Sequence, residues 1–479
     1  MSETTCQTPA EGLKTTVRHY CPKIVIAALR GGSGKSLICI GLAALLREKG
    51  YRVGIFKKGP DFIDPSWLSL AAGERCFNLD PFLMTKDQII SSFVINSKGK
   101  DIAIIEGNRG IYDGVDKEGR YSTSELAKLL DAPVLIILDV TMSTRTISAL
   151  LKGCQVFDRR LKIKGAILNR VAGKRQENLI KSCIEYYCNV PVVGAIPKLK
   201  ENLLKERHMG LVPYQEREEA ERVINWSKDV VRSYLDINKI IEIAKAVDPM
   251  EVSVSEQRDI SKQKKIKIGY FLDKAFWFYY PENLDALKSK GAELVRINSL
   301  EEQKLPNVDA IYIGGGFPET QAEALANNES LRKDLKEKME RGLPVYAECG
   351  GLMYLGDHLI FKEKRYPMVG FFPISFFLEK KPQGHGYTII EVYRDNPFFE
   401  KGKIIKGHEF HYSKPKLIEK GKVNFAFRIL KGSGIFDMKD GAIKKNTLAT
   451  YTHIHVRGNP EWPDIFFKAT DMSGVNEIQ

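Results

Sequence analysis

Apolar residues come in short runs along the chain, each closed by a polar or glycine-rich break. Residues 23–29 read as a buried strand, 31–36 as a glycine-rich turn, and 37–49 carry apolar side chains at helical spacing up to Gly50, a helix C-cap. A second strand is expected at 52–56. Runs at 102–106 and 134–139 are short, apolar and end in an acid, and 163–169 and 192–196 repeat the pattern. Strands alternating with helical segments predict a parallel sheet covered by helices on both faces. Residues 201–233 read as helical and highly charged. Residues 236–265 mix a helical piece with a polar, lysine-rich segment, so a linker is expected at 246–265. A second α/β pattern starts at 266–271 and continues through 292–297, 310–313 and 345–347. Beyond about 365 the chain turns strand-rich, most clearly at 386–393, 425–429 and 447–451. The expected organisation is a flexible tail over 1–22, one α/β domain over 23–245, the linker, and a second α/β domain over 266–479.

Composition agrees with two large soluble domains. At roughly 100–200 residues per domain, 479 residues accommodate them. With 43% hydrophobic and 28% charged residues the chain is not disordered, collagen-like or a disulfide scaffold. Lys+Arg 73 against Asp+Glu 60 gives a net charge of +13. The excess is spread out, apart from the short 262–267 stretch, which suits a small polyanion better than nucleic acid. Eight scattered cysteines without a CxxC pair point to reduced thiols in a cytoplasmic protein. The polar first 23 residues have no signal-peptide pattern, and no apolar run is long enough to span a bilayer, so no membrane partner is expected.

Two constellations carry chemistry. The first is Arg30-Gly31-Gly32-Ser33-Gly34-Lys35-Ser36, between a strand and a helix. Glycines let backbone amides turn toward a phosphate, and the helix N-terminus adds positive potential. Lys35 is expected on the β/γ-phosphates and Ser36 on Mg²⁺. Leu29 stands where the common loop has glycine, so the loop fits the Lys-Gly-Gly-x-Gly-Lys-Ser/Thr variant with Arg30 leading. Glu106 closes a strand, at the edge where open α/β sheets bind ligands. It is a candidate metal ligand or water-positioning group. Lys57 or Lys58 are candidates for neutralising phosphate or a substrate carboxylate, and Asp61 or Asp64 for holding the metal.

The second is Val345-Tyr-Ala-Glu-Cys349-Gly350-Gly351-Leu352, a strand running into a tight turn and a helical pattern. A cysteine on such an elbow is expected to be exposed at the sheet edge and to face helix amides, two effects that lower its pKa. Backbone amides of Gly314–Glu319 are candidate oxyanion donors, with Gly315, Gly316 and Gly350 expected to serve. Bases are available at His453 and His455, of which one would face the thiol from a strand, and at His408 and His411. His pairs without accompanying cysteines are a weak zinc signal.

The variant loop is followed in order by Lys-Lys-Gly-Pro-Asp-Phe-Ile-Asp-Pro (57–65), Glu-Gly-Asn-Arg-Gly-Ile-Tyr-Asp-Gly (106–114), Gly-Gly-Gly-Phe-Pro-Glu (314–319), Ala-Glu-Cys-Gly-Gly-Leu-Met-Tyr-Leu (347–355), Gly-His-Glu-Phe-His-Tyr-Ser (407–413) and Tyr-Thr-His-Ile-His (451–455). From about residue 23 to 470 this set resembles the cobyrinic acid a,c-diamide synthase family. The resemblance implies an N-terminal P-loop NTPase domain similar to dethiobiotin synthetase and a C-terminal class I glutamine amidotransferase-like domain. It implies a ligase that forms C–N bonds with glutamine as nitrogen donor. Cys349 would attack the glutamine amide, with His453 as the matching base. Amidotransferases of this class often carry an acid two residues after that histidine. Here that place holds His455, so the third member of the triad stays open. ATP with Mg²⁺ would phosphorylate a carboxylate of a carboxylate-rich tetrapyrrole, and ammonia would displace the phosphate. Gly31, Gly32, Ser33, Gly34, Lys35, Ser36 and Lys57 would hold the nucleotide, and Ser36, Asp61 and Glu106 the metal. Lys58, Asp64, Arg109 and Tyr112 would contact the tetrapyrrole.

The chain departs from the family pattern at Arg30, at Lys58 and at Asn108-Arg109, where Val-Met is common. The extra cations keep siroheme or nickel-sirohydrochlorin as alternatives behind cobyrinate. Two readings of another class are a ParA-like nucleotide switch and a non-catalytic tetrapyrrole-binding protein. A homodimer is left open.

Overall fold

Strands whose residues are buried along their whole length need cover on both faces, and that demand organises the N-terminal half. The computed structural model describes residues 14–475 apart from 205, 208–209, 217–218, 256–264 and 419–420. They divide into two compact units. The first takes Met1–Pro81, Lys86–Val212 and Glu219–Ser261; the second takes Phe82–Thr85, Pro213–Glu218 and Lys262–Gln479.

In the first unit, among the described residues, β1 (Lys14–His19) precedes β2 (Lys23–Ala28), β3 (Val53–Lys58), β4 (Cys76–Leu79), β5 (Ile102–Glu106), β6 (Val134–Asp139), β7 (Ile163–Val171) and β8 (Val192–Pro197). The last seven form a sheet in the order β4-β3-β5-β2-β6-β7-β8, parallel throughout. β2, β3, β4 and β5 are buried at every position. The helix Lys35–Glu48 is buried over most of its circumference, packing on the sheet and on the helix Ala220–Tyr234. All strand C-termini lie at one edge of a parallel sheet, so the residues after β2, β3, β5, β6 and β7 gather there.

Three features differ from expectation. Residues 14–19 are not a loose tail: β1 pairs antiparallel with β9 (Met250–Ser255), which occupies part of the expected linker. Among the described residues of 201–233 the α-helix starts at Ala220, after a single 3₁₀ turn at Tyr214–Glu216, because Gly210 and Pro213 interrupt the first part. β4 was hidden by its length of four residues.

The second unit is built on β10 (Ile266–Phe271), β11 (Ala292–Ile297), β12 (Ala310–Ile313), β13 (Val345–Glu348), β14 (Gly384–Val392), β15 (Ile404–His411), β16 (Asn424–Lys431), β17 (Lys439–Lys444), β18 (Thr447–Thr450) and β19 (His453–Ile454). Among the described residues they form one sheet in the order β11-β10-β12-β13-β18-β17-β16-β14-β15-β19. It is parallel from β11 to β18 and antiparallel beyond. Alternate residues feed two cores: Ile311, Ile313, Val345 and Ala347 on one face, Tyr312, Tyr346 and Leu448 on the other. Among the described residues no helix is long and apolar enough to cross a membrane. The described cysteines are free thiols.

Candidate active sites

The turn after β2 is held from three sides. Asn169 Nδ2 donates to Ser33 O at 2.9 Å, and Arg170 Nη2 donates to Gly32 O at 3.0 Å. Asp139, at the end of β6, accepts from Arg30 (2.7 Å) and Arg170 (2.6 Å). Desolvation would raise the Asp139 pKa, but Thr141 and the two guanidiniums hold it far below the usual carboxylate range. Gly34 has φ 98, and a Cβ there would lie 2.6 Å from Asn169 Nδ2, so this position admits only glycine. The loop borders a cavity of about 500 Å³ whose walls include Lys35, Ser36, Lys57, Asp64, Glu106 and Arg109.

At its floor, acids and cations are packed together. Lys57 Nζ lies 2.5 Å from Asp64 Oδ2 and 3.2 Å from Glu106 Oε1. Ser36 Oγ donates to Glu106 Oε1 at 2.8 Å. Glu106 Oε2 is buried without a hydrogen-bond partner. Burial pulls the Lys57 pKa down, but Asp64 and Glu106 outweigh it and raise it. Burial raises Glu106 against the opposing pull of Lys57. Desolvation, then the charge of Asp64, push Asp61 up to about 7. Desolvation works the same way on Asp64, but Lys57 lowers it overall. Burial, then Lys57, lower Lys35, whose Nζ donates to Arg109 O at 3.0 Å.

The thiol site lies in the second unit. Cys349 stands between β13 and the helix Gly350–Leu355 with φ 47 and ψ −98, a conformation that costs about 1–3 kcal/mol and turns the side chain out of the strand's register. Its amide donates to Thr450 O at 2.7 Å. The thiol is buried, not exposed as expected. Burial, then the charge of Glu319, push its pKa well above normal, while the Gly350 amide pulls the other way. The short helix does not offset the loss of water, so the resting group is a thiol.

His453 packs directly on the glycine turn: a Cβ on Gly315 would lie 2.5 Å from His453 Cε1. A Cβ on Gly350 would lie 3.0 Å from Gly316 N, so both turns converge beside the imidazole. His453 Nδ1 is 3.1 Å from Glu348 Oε2. Asn283 fixes the strand that carries it, donating to Ile454 O at 2.7 Å and accepting from Val456 N at 2.8 Å. His455 points to Glu282, with Nε2 3.2 Å from Oε2. His408 stacks on His453 with ring centroids 5.0 Å apart; burial and the two neighbouring histidines hold it neutral. His411 stacks on Tyr451. Among the described residues no group of three or more His, Cys, Asp or Glu side chains is arranged to hold a metal ion by itself.

The structure thus brings together Gly31, Gly32, Gly34, Lys35, Ser36, Lys57, Asp64, Glu106 and Arg109 around one cavity, and Cys349, His453, Gly315, Gly316 and Gly350 in the other unit. Ser33 is buried behind the loop, its hydroxyl donating to Arg30 O. Asp61 Oδ1 accepts from Ile63 N, at the start of the helix Ile63–Ala72. Lys58 is buried with Asp80 as the opposing charge. The Tyr112 hydroxyl donates to Cys154 O at 2.6 Å, and the ring packs on Phe157, away from the cavity wall. Asp139, Asn169 and Arg170 were missed. The acid closing the 134–139 run was the available signal.

Two family models match. A CobQ/CobB/MinD/ParA nucleotide binding domain covers residues 24–212, and a CobB/CobQ-like glutamine amidotransferase domain covers 267–461. Cobyrinate a,c-diamide synthase of Magnetococcus marinus is 42% identical over 449 residues, 93% of this chain and 96% of that protein. The proteins of that name from Archaeoglobus fulgidus (42% over 91% of this chain and 94% of that one) and Listeria innocua (38% over 91% and 97%) are similar at full length.

Proposed function

The chain belongs to the cobyrinate a,c-diamide synthase family, and from that premise we propose how its two sites divide the work. It is an ATP- and glutamine-dependent ligase that amidates the a and c acetate carboxylates of cobyrinate through an acyl phosphate. The observation that carries this reading is the pairing, in one chain, of a phosphate loop above buried acids with a thiol–imidazole elbow. A nucleotide switch has no use for the elbow. Arg30, the residue in place of the leading lysine of the ParA-like loop, is tied to Asp139 of its own chain.

In the first unit Lys35 and the loop amides of residues 31–36 hold the ATP phosphates. The acids at the cavity floor suit Mg²⁺: Glu106 Oε2 lacks a partner, Ser36 Oγ is adjacent, and oxygen donors match a hard cation that takes its remaining ligands from phosphate and water. Ser36, Glu106 and Asp61 would hold it. When bound it neutralises charge on the transferred phosphoryl group. Lys57 keeps Asp64 ionised and holds both Asp64 and Glu106 in place. Arg109 meets a substrate carboxylate at the cavity rim. A substrate carboxylate oxygen attacks the γ-phosphorus, ADP leaves, and ammonia then displaces phosphate from the acyl carbon to give the carboxamide.

In the second unit Cys349 Sγ attacks the glutamine side-chain carbonyl carbon as its proton passes to His453 Nε2. Amides of Gly315, Gly316 and Gly350 take the oxyanion. His453 returns the proton to the leaving nitrogen, ammonia departs, and water hydrolyses the thioester to glutamate. The two sites are separable by experiment. Cys349→Ala should abolish glutamine-dependent amidation of cobyrinate while ammonium still supports it. Lys35→Ala should abolish amidation from either nitrogen source while glutaminase activity survives. Glutamine-dependent turnover in the first variant, or ordinary amidation in the second, would overturn the assignment.

A further inference from the structure

His453 needs a partner for the proton on its far nitrogen, and the position two residues on, His455, cannot supply one. The acid near His455 is Glu282, whose Oε2 faces His455 Nε2 and whose Oε1 accepts from Arg457 Nε at 2.8 Å. The carboxylate that reaches His453 is instead Glu348, at 3.1 Å, with both side chains almost fully buried. Glu348 is the residue immediately before the nucleophile. It closes β13, whose last residues alternate faces, while the φ of 47 at Cys349 breaks that alternation. Acid and thiol therefore leave one stretch of backbone in different directions.

Glu348 is held tightly. Oε2 also accepts from the Tyr312 hydroxyl at 3.2 Å, and Oε1 accepts from the Tyr346 hydroxyl at 3.2 Å and from Ile454 N at 3.3 Å. The amide of Ile454 follows His453 directly, so the carboxylate grips both the ring and the backbone that carries it. The other side of the imidazole meets Gly315, Phe278 and the neutral His408.

We propose that Glu348 is the positioning acid of the glutaminase, keeping the proton on His453 Nδ1, leaving Nε2 to take the Cys349 proton, and stabilising the imidazolium that forms. This rests on the reading of Cys349 and His453 given above. The buried thiol is protonated at rest, so an imidazolium must appear during attack, in a place without solvent to stabilise it. An uncompensated buried cation is costly, and Glu348 is the anion in contact. Because the acid adjoins the nucleophile, one strand end sets the orientation of both.

The test compares Glu348→Gln and Glu348→Asp with wild type, using glutamine and ammonium as alternative nitrogen sources for cobyrinate. Glu348→Gln is expected to lower glutaminase kcat by about 10²–10⁴-fold, the range seen when an imidazole loses its orienting carboxylate, with little change in KM for glutamine. Ammonium-dependent amidation should stay at the wild-type rate. In a His453→Ala background, Glu348→Gln should add nothing. A purely structural role would raise KM for glutamine along with the fall in kcat, lower both nitrogen sources together, or add a further loss in the His453→Ala background, and any of these results overturns the assignment. If Glu348→Gln does not fold, Glu348→Asp decides. It keeps the charge but falls short of the ring, so glutaminase should drop at least about tenfold with ammonium activity intact. Wild-type glutaminase in that variant, or equal loss from both sources, overturns the assignment. Glutamine-dependent turnover by Cys349→Ala would remove the underlying nucleophile reading. An inactive Cys349→Ala beside a fully active Glu348→Gln removes Glu348 alone.

Discussion

Replacing Gly315 by Ala strikes the thiol site where it is tightest. The new Cβ would sit 2.5 Å from His453 Cε1, 3.2 Å from His453 Nε2 and 3.1 Å from Phe278 Cδ2. Ordinary contact starts near 3.4 Å, so the imidazole must retreat by about 0.9 Å. The backbone does not resist the substitution, because Gly315 is outside the positive-φ region. The ring, however, cannot retreat freely: Nδ1 is fixed on Glu348 and its face lies against His408. A displacement of about 1 Å at a catalytic group costs on the order of 10²-fold in rate, and overpacking of this kind costs about 1–3 kcal/mol in stability. The expected result is a glutaminase kcat lowered by about 10²-fold, with ammonium-dependent amidation of cobyrinate unchanged and a modest fall in melting temperature. Initial rates with the two nitrogen sources, beside a thermal melt, decide it. A variant within about threefold of wild type with glutamine would show that His453 is not held at the reacting position by this contact.

At the phosphate site, Asp61 has a folded pKa raised to about 7 against about 3.9 unfolded, so the folded chain keeps a proton that the unfolded chain loses. Its contribution to stability is lost as pH rises from about 4 through 7. Asp61→Asn should therefore be the more stable form at pH 8, with the difference vanishing near pH 4, and should lose Mg²⁺-ATP-dependent amidation; unfolding curves with no pH-dependent difference would refute the shift. Arg109→Met should raise KM for cobyrinate and leave KM for glutamine alone, lowering kcat/KM by roughly 10–150-fold if a charge-assisted contact is lost. Lys58→Met should act mainly through stability, because Lys58 is buried beside Asp80, and an unaltered melting temperature would contradict that placement.

Parallel strands covered on both faces are legible from sequence as continuous apolar runs, as at 102–106, 134–139 and 310–313; the partly exposed 266–271 and 292–297 also have the expected limits. The ribbon of β1 and β9 is not legible. Lys-Thr-Thr-Val-Arg-His and Met-Glu-Val-Ser-Val-Ser have the composition of a tail and a linker, and each becomes a strand only through a partner at the opposite end of the unit. The charged stretch 201–233 fails for a related reason. Charge density is compatible with a helix but does not locate its start, whereas Gly210 and Pro213 do.

At the thiol site, residue identity was legible and environment was not. Cys349 between Glu348 and Gly350 marks an elbow, yet an elbow can present its thiol to solvent or seal it, and burial decides the protonation state. A pre-formed thiolate would need only a glutamine to attack. A buried thiol needs a base that becomes charged in the same step, and hence an anion already in place beside that base. No spacing rule finds that anion, because Glu348 and His453 belong to different strands and meet through the sheet's folding, and because the place two residues after the histidine holds His455. The same holds for Asp139, which reaches the phosphate loop through Arg30 and Arg170 from the end of the neighbouring strand. In both units the chemistry-bearing residue is written in a motif. The group that holds it in one charge state or one geometry lies at the end of another strand.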